Sequence, residues 1–373
     1  MEPRLGGPVS GADIPPVDYL SWYVPRLQEN RPHDLSQSGF EYDWDLNLDD
    51  NKLLGFWNSG SNPAEWVASR YGVDVDQVCV THGVCQAISL AILAALPEDG
   101  PRAVGVEMPS FAVVSQCARL LGCNVIPFHR GPNEGEWRLD REEVAEILPR
   151  VGVIALTPVM NPSGEMIAKE DEDWLIEATR EAGVNIVSDE VYLDASMGTE
   201  FYRPMHMRAE HVISVNSLTK CYGLGPLRFG WAIGPSNMIQ NIRNAFHNLQ
   251  GMASAPSMAI AEAAFPRLDE ALDALRKQRD ENLPKLIDVL NENGIDWTPP
   301  PIGIFGLIPL GTDAVQAMAH HGAPLGLLAT PGGMFHKDLA NHLRIAWGGE
   351  SEAFEAAMPV LSQFLKSIQD ENN

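Results

Sequence analysis

A chain of 373 residues with 45% hydrophobic content can bury a large core and divide into more than one domain. Its 50 acidic against 26 basic residues give a formal charge of -24, which repels polyanions and removes the electrostatic footprint that nucleic-acid binding requires. No apolar run approaches a membrane span and the opening MEPRLGGPVSG lacks the apolar centre of a secretion signal, so the expectation is a cytoplasmic protein with no membrane partner.

In chain order, the first 45 or so residues are rich in proline and aromatics, show no parallel-sheet pattern, and are expected to pack on the last domain. Then VCVTHG, AVGVEMP, CNVIPF, VGVIALTP, VNIVSDEVY, HVISVNS and FGWAIG alternate with amphipathic or alanine-rich stretches. These seven strand-like runs predict a doubly wound, mostly parallel seven-stranded sheet in an α/β/α sandwich over residues 46–274. Near residue 275 the rhythm changes to a long charged helix, a proline-rich joint TPPPIG and a smaller strand and helix set, which predicts an α+β domain over 275–373. The five cysteines (Cys79, Cys85, Cys117, Cys123, Cys221) form no Cys-x-x-Cys pair, so reduced thiols are expected. The adjacent His320 and His321 would point apart on a helix, and no metal site is expected.

Ligands of such sheets collect beyond the carboxyl ends of the strands. VCVTHG turns at Gly83 into a helix whose first free N–H groups, at about Val84 and Cys85, would seat an anion, although any strand–helix turn can hold a glycine. VSDEVY delivers Asp189 and Tyr192 to a strand tip, where the alternative is a helix cap and a packed ring. TPVMNPSG puts Asn161 past another strand, where an ordinary Asn-Pro turn would look the same, and EMPSF puts Phe111, otherwise a core aromatic, at a third. In SLTKCYGLGPLRFG, Lys220 stands between hydroxyls and glycines with no acidic neighbour, and Arg228 returns across the glycine turn.

One ligand would use them all. Pyridoxal phosphate needs a lysine amine for its aldehyde, a carboxylate for its ring nitrogen, donors for its phenolic oxygen, an aromatic face and a phosphate cradle. Lys220 would supply the amine and Asp189 the carboxylate, Asn161 and Tyr192 would donate to the phenolic oxygen, and Phe111 would cover the ring. The phosphate would sit on the helix after Gly83, with Ser217 and Arg228 completing its cradle.

Taken in order, THGVCQA, NPSG, DEVY and SLTK with its trailing Arg228 resemble the fold-type I, class I and II aminotransferases over nearly the whole chain. The resemblance adds Arg344 in NHLRIAWG as the grip on a substrate α-carboxylate, the turn PGGMFH, and Gly39 in DLSQSGF beside the bound amino acid. It implies transfer of an amino group between an L-amino acid and a 2-oxo acid, with Lys220 as anchor and general base, and a homodimer whose contacts would include LLGFWNSG and SAPSMAIAEAAF. Cys85 stands where many relatives carry a hydroxyl, Pro158, Val159 and Met160 make the edge before Asn161 more apolar, and around GFWNSGSNP there is no tyrosine to lend to a neighbour's phosphate. The same scaffold supports elimination, decarboxylation and cyclisation, and SQSGF and NPSG are also similar to cyclising relatives of the capreomycidine synthase kind. A DNA-binding regulator is disfavoured by a short, acidic N-terminal segment, and a nicotinamide dehydrogenase by the lack of G-x-G-x-x-G after the first strand. Phe40, Tyr42 and Trp44 would share one face of an extended segment and either wall the substrate pocket or pack against the core of the last domain, with Arg26, Arg31 and Arg243 unplaced.

Overall fold

Strands buried on both faces read as unbroken apolar runs, and those runs build the centre of the molecule. The computed structural model describes Gly11 and residues 14–46, 48–133 and 136–372, so most of the segment read for a secretion signal lies outside the described residues. The strands are β1 (His33–Asp34), β2 (Val78–Thr81), β3 (Ala103–Met108), β4 (Asn124–Asn133), β5 (Glu136–Leu139), β6 (Val153–Leu156), β7 (Asn185–Asp189), β8 (Val212–Ser217), β9 (Gly230–Ile233), β10 (Phe305–Pro309), β11 (Leu327–Leu328), β12 (Thr330–Pro331) and β13 (His342–Ala346).

The large sheet has the order β2-β9-β8-β7-β6-β3-β4-β5. From β8 to β4 every neighbouring pair is parallel, while β9 runs antiparallel to both β2 and β8. All seven expected runs are in it. The sheet nevertheless has an eighth strand, because β4 continues into a hairpin whose return, β5, pairs with it antiparallel. The sequence EWRL gives no apolar run: Glu136 is exposed and Leu139 is its only buried side chain, as suits an edge strand kept from pairing further by charge.

Helices cover the sheet where their apolar faces meet it. Val84–Ala95 buries Ala87, Ile88, Leu90, Ala91, Ile92 and Ala95. Lys169–Ala182 opens with Glu170, Asp171 and Glu172, the sign that suits a helix N-terminus, and stops at Gly183 in the left-handed conformation with φ 67°. The helix Leu268–Glu292 buries Leu268, Ala271, Leu272 and Leu275 in the core of the large sheet, then Leu283, Leu286 and Leu290 in a second core with Ile308, Leu343, Trp347, Leu361 and Phe364. Residue 275 therefore lies within this helix.

In the second core β13 lies between β10 and β12, antiparallel to both, and β1 pairs in parallel with β11. The strip after β1 is tied at both ends: Ala346 N–H donates to the Leu35 carbonyl and Phe40 N–H to the Lys220 carbonyl, each at 2.8 Å. It thus runs from the second core to the lysine loop of the large sheet. Among the described residues no helix is long and apolar enough to cross a membrane.

Candidate active site

The glycine turn comes first because its shape is forced. Gly83 has φ 77° and ψ 173°, a conformation open essentially to glycine alone, and a Cβ there would lie 2.5 Å from Arg228 Nη2. Gly230 is held the same way, since its Cβ would lie 2.6 Å from the Gly83 carbonyl carbon. The absence of both side chains lets the Arg228 guanidinium lie over the start of the helix Val84–Ala95. There the N–H groups of Val84 and Cys85, in the first turn, have no carbonyl of their own helix to bond. Arg228 itself is at φ 51° and makes one long bond to the Gly225 carbonyl, 3.4 Å. Ser217, fully buried at the end of β8, accepts from the Thr219 N–H through its hydroxyl oxygen at 3.3 Å. The half-buried Cys85 thiol is raised by burial and by Asp189, against the pull of Arg228 and Lys220, so this thiol belongs to the same charged cluster.

Lys220 follows β8 with its Nζ donating to Ser38 Oγ at 2.8 Å and lying 5.9 Å from the Tyr192 ring centre. The residue as a whole is half-buried, but its amine is removed from water. That desolvation, with the Arg344 charge next in size, lowers it to about 8, while Cys85 and Asp189 oppose the shift. Asp189 ends β7, buried, and among the described residues its carboxylate accepts only from the Val191 N–H, at 3.3 Å. Burial raises it to about 7 against that N–H and Lys220. Tyr192 is 3% exposed, its ring meets Phe305 edge-on at 4.9 Å, and its hydroxyl lies near Ser38 without a well-formed hydrogen bond to any described residue. Burial pushes that phenol up.

Arg344 is completely buried on β13, opposite Leu307 of β10 and Thr330 of β12. Its Nη1 donates to Asn161 Oδ1 at 2.8 Å, which fixes the amide and leaves the Asn161 NH₂ to donate elsewhere. Its Nη2 donates to the Ser36 carbonyl at 2.7 Å, to Thr330 Oγ1 at 3.1 Å and to Tyr19 Oη at 3.3 Å. The rings of Tyr19, Phe305 and Phe335 stand 5.1 to 5.3 Å from the guanidinium carbon. Phe111, partly buried, meets the edge of Tyr19 at 5.9 Å. Gly39 lies in the tied strip, where a Cβ would come 3.5 Å from the Thr219 carbonyl, an ordinary contact.

The twelve residues singled out from the sequence thus gather beyond the strand tips, around the lysine loop and against β13. Tyr19, Ser36, Ser38, Thr330 and Phe305 join them unforeseen. Ser36 and Ser38 sat in the quoted SQSGF, and their two-residue spacing was the one local signal available. Tyr19 and Phe305 carried none. The aromatic triplet is employed differently from the expectation: Phe40 is in the large core, Tyr42 and Trp44 pack against it, Trp44 Nε1 donates to the Tyr222 carbonyl at 2.7 Å, and Arg267 covers the Trp44 ring. The rings that stand around Arg344 and Tyr192 are instead Tyr19, Phe305 and Phe335, with Phe111 against Tyr19. The unplaced arginines are engaged too: Arg26 with the Trp22 carbonyl, Arg31 with Glu29 and Arg243 with the Val78 carbonyl.

A buried carboxylate short of donors, a buried phenol without a well-formed hydrogen bond, an amine lowered to about 8 and an anion seat roofed by an arginine suit pyridoxal phosphate in both charge and donor type. Comparison with known proteins agrees. Residues 62–361 match the family model described as aminotransferase class I and II. The arginine–pyruvate transaminase of Pseudomonas aeruginosa is 27% identical over 74% of this chain and 72% of its own length. An aminotransferase from Mycobacterium tuberculosis superposes with a TM-score of 0.81 at 21% identity, over 96% of this chain and 99% of that one. A PLP-dependent cyclase, OrfR, superposes at 0.79 and 24% identity over the same shares, a likeness of fold alone. The chain belongs to the class I and II aminotransferases and is a pyridoxal-phosphate-dependent aminotransferase.

Proposed function

We propose that this aminotransferase exchanges an amino group between a neutral or aromatic L-amino acid and a 2-oxo acid, with Lys220 moving the proton. The observation that carries the reading is the Lys220 amine, lowered to about 8 and held by Ser38 between Asp189 and Arg344. Near neutral pH a usable fraction of such an amine is unprotonated, whereas an ordinary lysine is almost wholly charged. Bound pyridoxal phosphate supplies an aldehyde for the amino group and a ring that accepts the electron pair left by the departing Cα proton.

The chain's own residues do the rest. Arg344 takes the α-carboxylate through a planar fork and so fixes which Cα bond faces the cofactor ring. Lys220 would take up the proton that leaves Cα and hold it for return. Asp189, once paired with the ring nitrogen, gains the partner its buried carboxylate lacks. The Asn161 NH₂ and Tyr192 hydroxyl would donate to the phenolic oxygen, Phe111 would cover the ring, and Val84, Cys85, Ser217 and Arg228 would hold the phosphate past Gly83. Gly39 leaves backbone room beside the substrate.

The donor preference rests on what surrounds Arg344. A distal carboxylate needs a second cation, and Arg26, Arg31 and Arg243 are bonded elsewhere in this chain, while four aromatic rings are at hand. Burying apolar surface and leaving a carboxylate unpaired both favour phenylalanine or leucine over aspartate, by about tenfold or more. Specificity constants for phenylalanine, leucine, aspartate and arginine with one shared oxo-acid acceptor test this; aspartate in front overturns it. Arginine consumed without amino transfer would put the chain with the cyclising relatives instead.

The division into 1–45, 46–274 and 275–373 is part of the proposal; the two cores and the pairing of β1 with β11 support it, with the change from the first core to the second falling inside the helix Leu268–Glu292, between Leu275 and Leu283. So are a cytoplasmic setting and a homodimer. Leu54 and Trp57 of LLGFWNSG are 74% and 41% exposed, which supports an interface there, whereas SAPSMAIAEAAF buries Met258, Ala259, Ala261 and Ala264 within its own chain. Light scattering should give twice the chain mass.

A further inference from the structure

The helix Asp18–Arg26 turns an aromatic face inward and delivers Tyr19 to Arg344. Its outward residues Leu20 and Val24 are exposed, and Tyr19 is the only buried residue among those described in it. Tyr19, Trp22 and Tyr23 share one helix face at the i, i+3, i+4 spacing, the latter two half-buried, and the buried Tyr19 ring is the one that stands over Arg344. That ring stacks on Phe335 at 5.3 Å and on Tyr23 at 5.4 Å and meets Phe111 edge-on, so it closes the space between the ring assigned to cover the cofactor and the arginine assigned to the carboxylate.

The hydroxyl is as telling as the ring. Tyr19 Oη accepts from Arg344 Nη2 at 3.3 Å. A hydroxyl that accepts keeps its own proton for a further acceptor. Two groups that bond the same guanidinium share a small volume, so a carboxylate received by Arg344 comes within reach of that O–H. We propose that Tyr19 is a substrate-binding residue: its hydroxyl donates to the α-carboxylate held by Arg344, and its ring forms the N-terminal wall of the side-chain pocket. This rests on the reading that Arg344 takes the carboxylate. A donor hydrogen bond to a charged group lowers the free energy of every α-carboxylate complex alike, so its loss appears in KM and leaves kcat almost unchanged.

The test uses the cofactor-loaded full chain and the variants Tyr19→Phe, Tyr19→Ala and Arg344→Lys. Steady-state constants for phenylalanine are measured beside the dissociation constants of propanoate and 3-phenylpropanoate, which carry the carboxylate without the amine, followed by the visible absorbance of the bound cofactor. Y19F should raise KM and both dissociation constants by about tenfold, with kcat within about twofold of the parent. Y19A should add a further loss for 3-phenylpropanoate over propanoate, because only the former reaches the ring. Constants for Y19F within about twofold of the parent, or a Y19F protein that no longer holds the cofactor, would overturn the proposal. If R344K weakens both carboxylates while Y19F does not, Tyr19 alone is misassigned. If R344K leaves them unchanged, the carboxylate reading of Arg344 has failed and the proposal with it.

Discussion

Lys220, Asp189 and Asn161 stand at or just past the carboxyl ends of β8, β7 and β6 in a single sheet, each delivered by the strand that precedes it. Arg344 shares Asn161 with that sheet but is otherwise served by Tyr19, Ser36, Phe305, Thr330 and Phe335, which reach it from both ends of the chain. At the end proposed to hold the cofactor, position follows from hydrogen-bonded strands buried on both faces, so one side chain can be removed while the frame persists. At the carboxylate end, position follows from side chains that hold one another in place, so a change at one disturbs several. The first end is a scaffold with groups attached; the second is a packed cluster.

The largest effect should fall at the cofactor end. Lys220→Ala should lower turnover by roughly 10⁴-fold, the upper range for removing an acid–base group, while circular dichroism stays that of the parent and borohydride no longer attaches the cofactor to the chain. Transaminase activity near the parent rate would break the reading of that end altogether.

Next comes Arg344→Lys. A buried guanidinium with four partners is replaced by a group that cannot fork, and kcat/KM should fall by roughly 10²- to 10³-fold while the absorbance of the bound cofactor is kept. An equal loss of cofactor would mean that the two ends are one cooperative unit rather than two.

Gly83→Ala sharpens the contrast from the other side. The methyl would lie 2.5 Å from Arg228 Nη2 at a φ of 77°, so the anion seat must shift and the dissociation constant of pyridoxal phosphate should rise about tenfold or more. Equilibrium dialysis measures it; an unchanged constant would show that the phosphate sits elsewhere.

The smallest effect is a pH dependence that links the ends. Lys220 reacts as the neutral amine, and with its value lowered to about 8 the rate at which cofactor-free protein captures pyridoxal phosphate should rise about tenfold per pH unit below 8 and level off above it. A rate still climbing at about pH 10 would mean that burial and Arg344 do not act on the amine as described.

Much of the cofactor end was legible in the residues because its determinants are local. Apolar runs mark buried strands, a glycine marks the turn into a helix, and the residue after a run stands at the strand tip, so VCVTHG, VSDEVY and SLTK each place a side chain without knowledge of the rest. The strand β5 escaped because EWRL has the composition of a solvated edge, and the rings of Phe40, Tyr42 and Trp44 were given to the pocket because alternation tells which side chains share a face but not what that face meets. Only the tertiary structure could bring Tyr19 to Arg344 or Ser38 to Lys220. Those contacts join residues whose numbers differ by 325 and 182, and a hydrogen bond across such a separation leaves no period, cap or turn in the sequence around either partner.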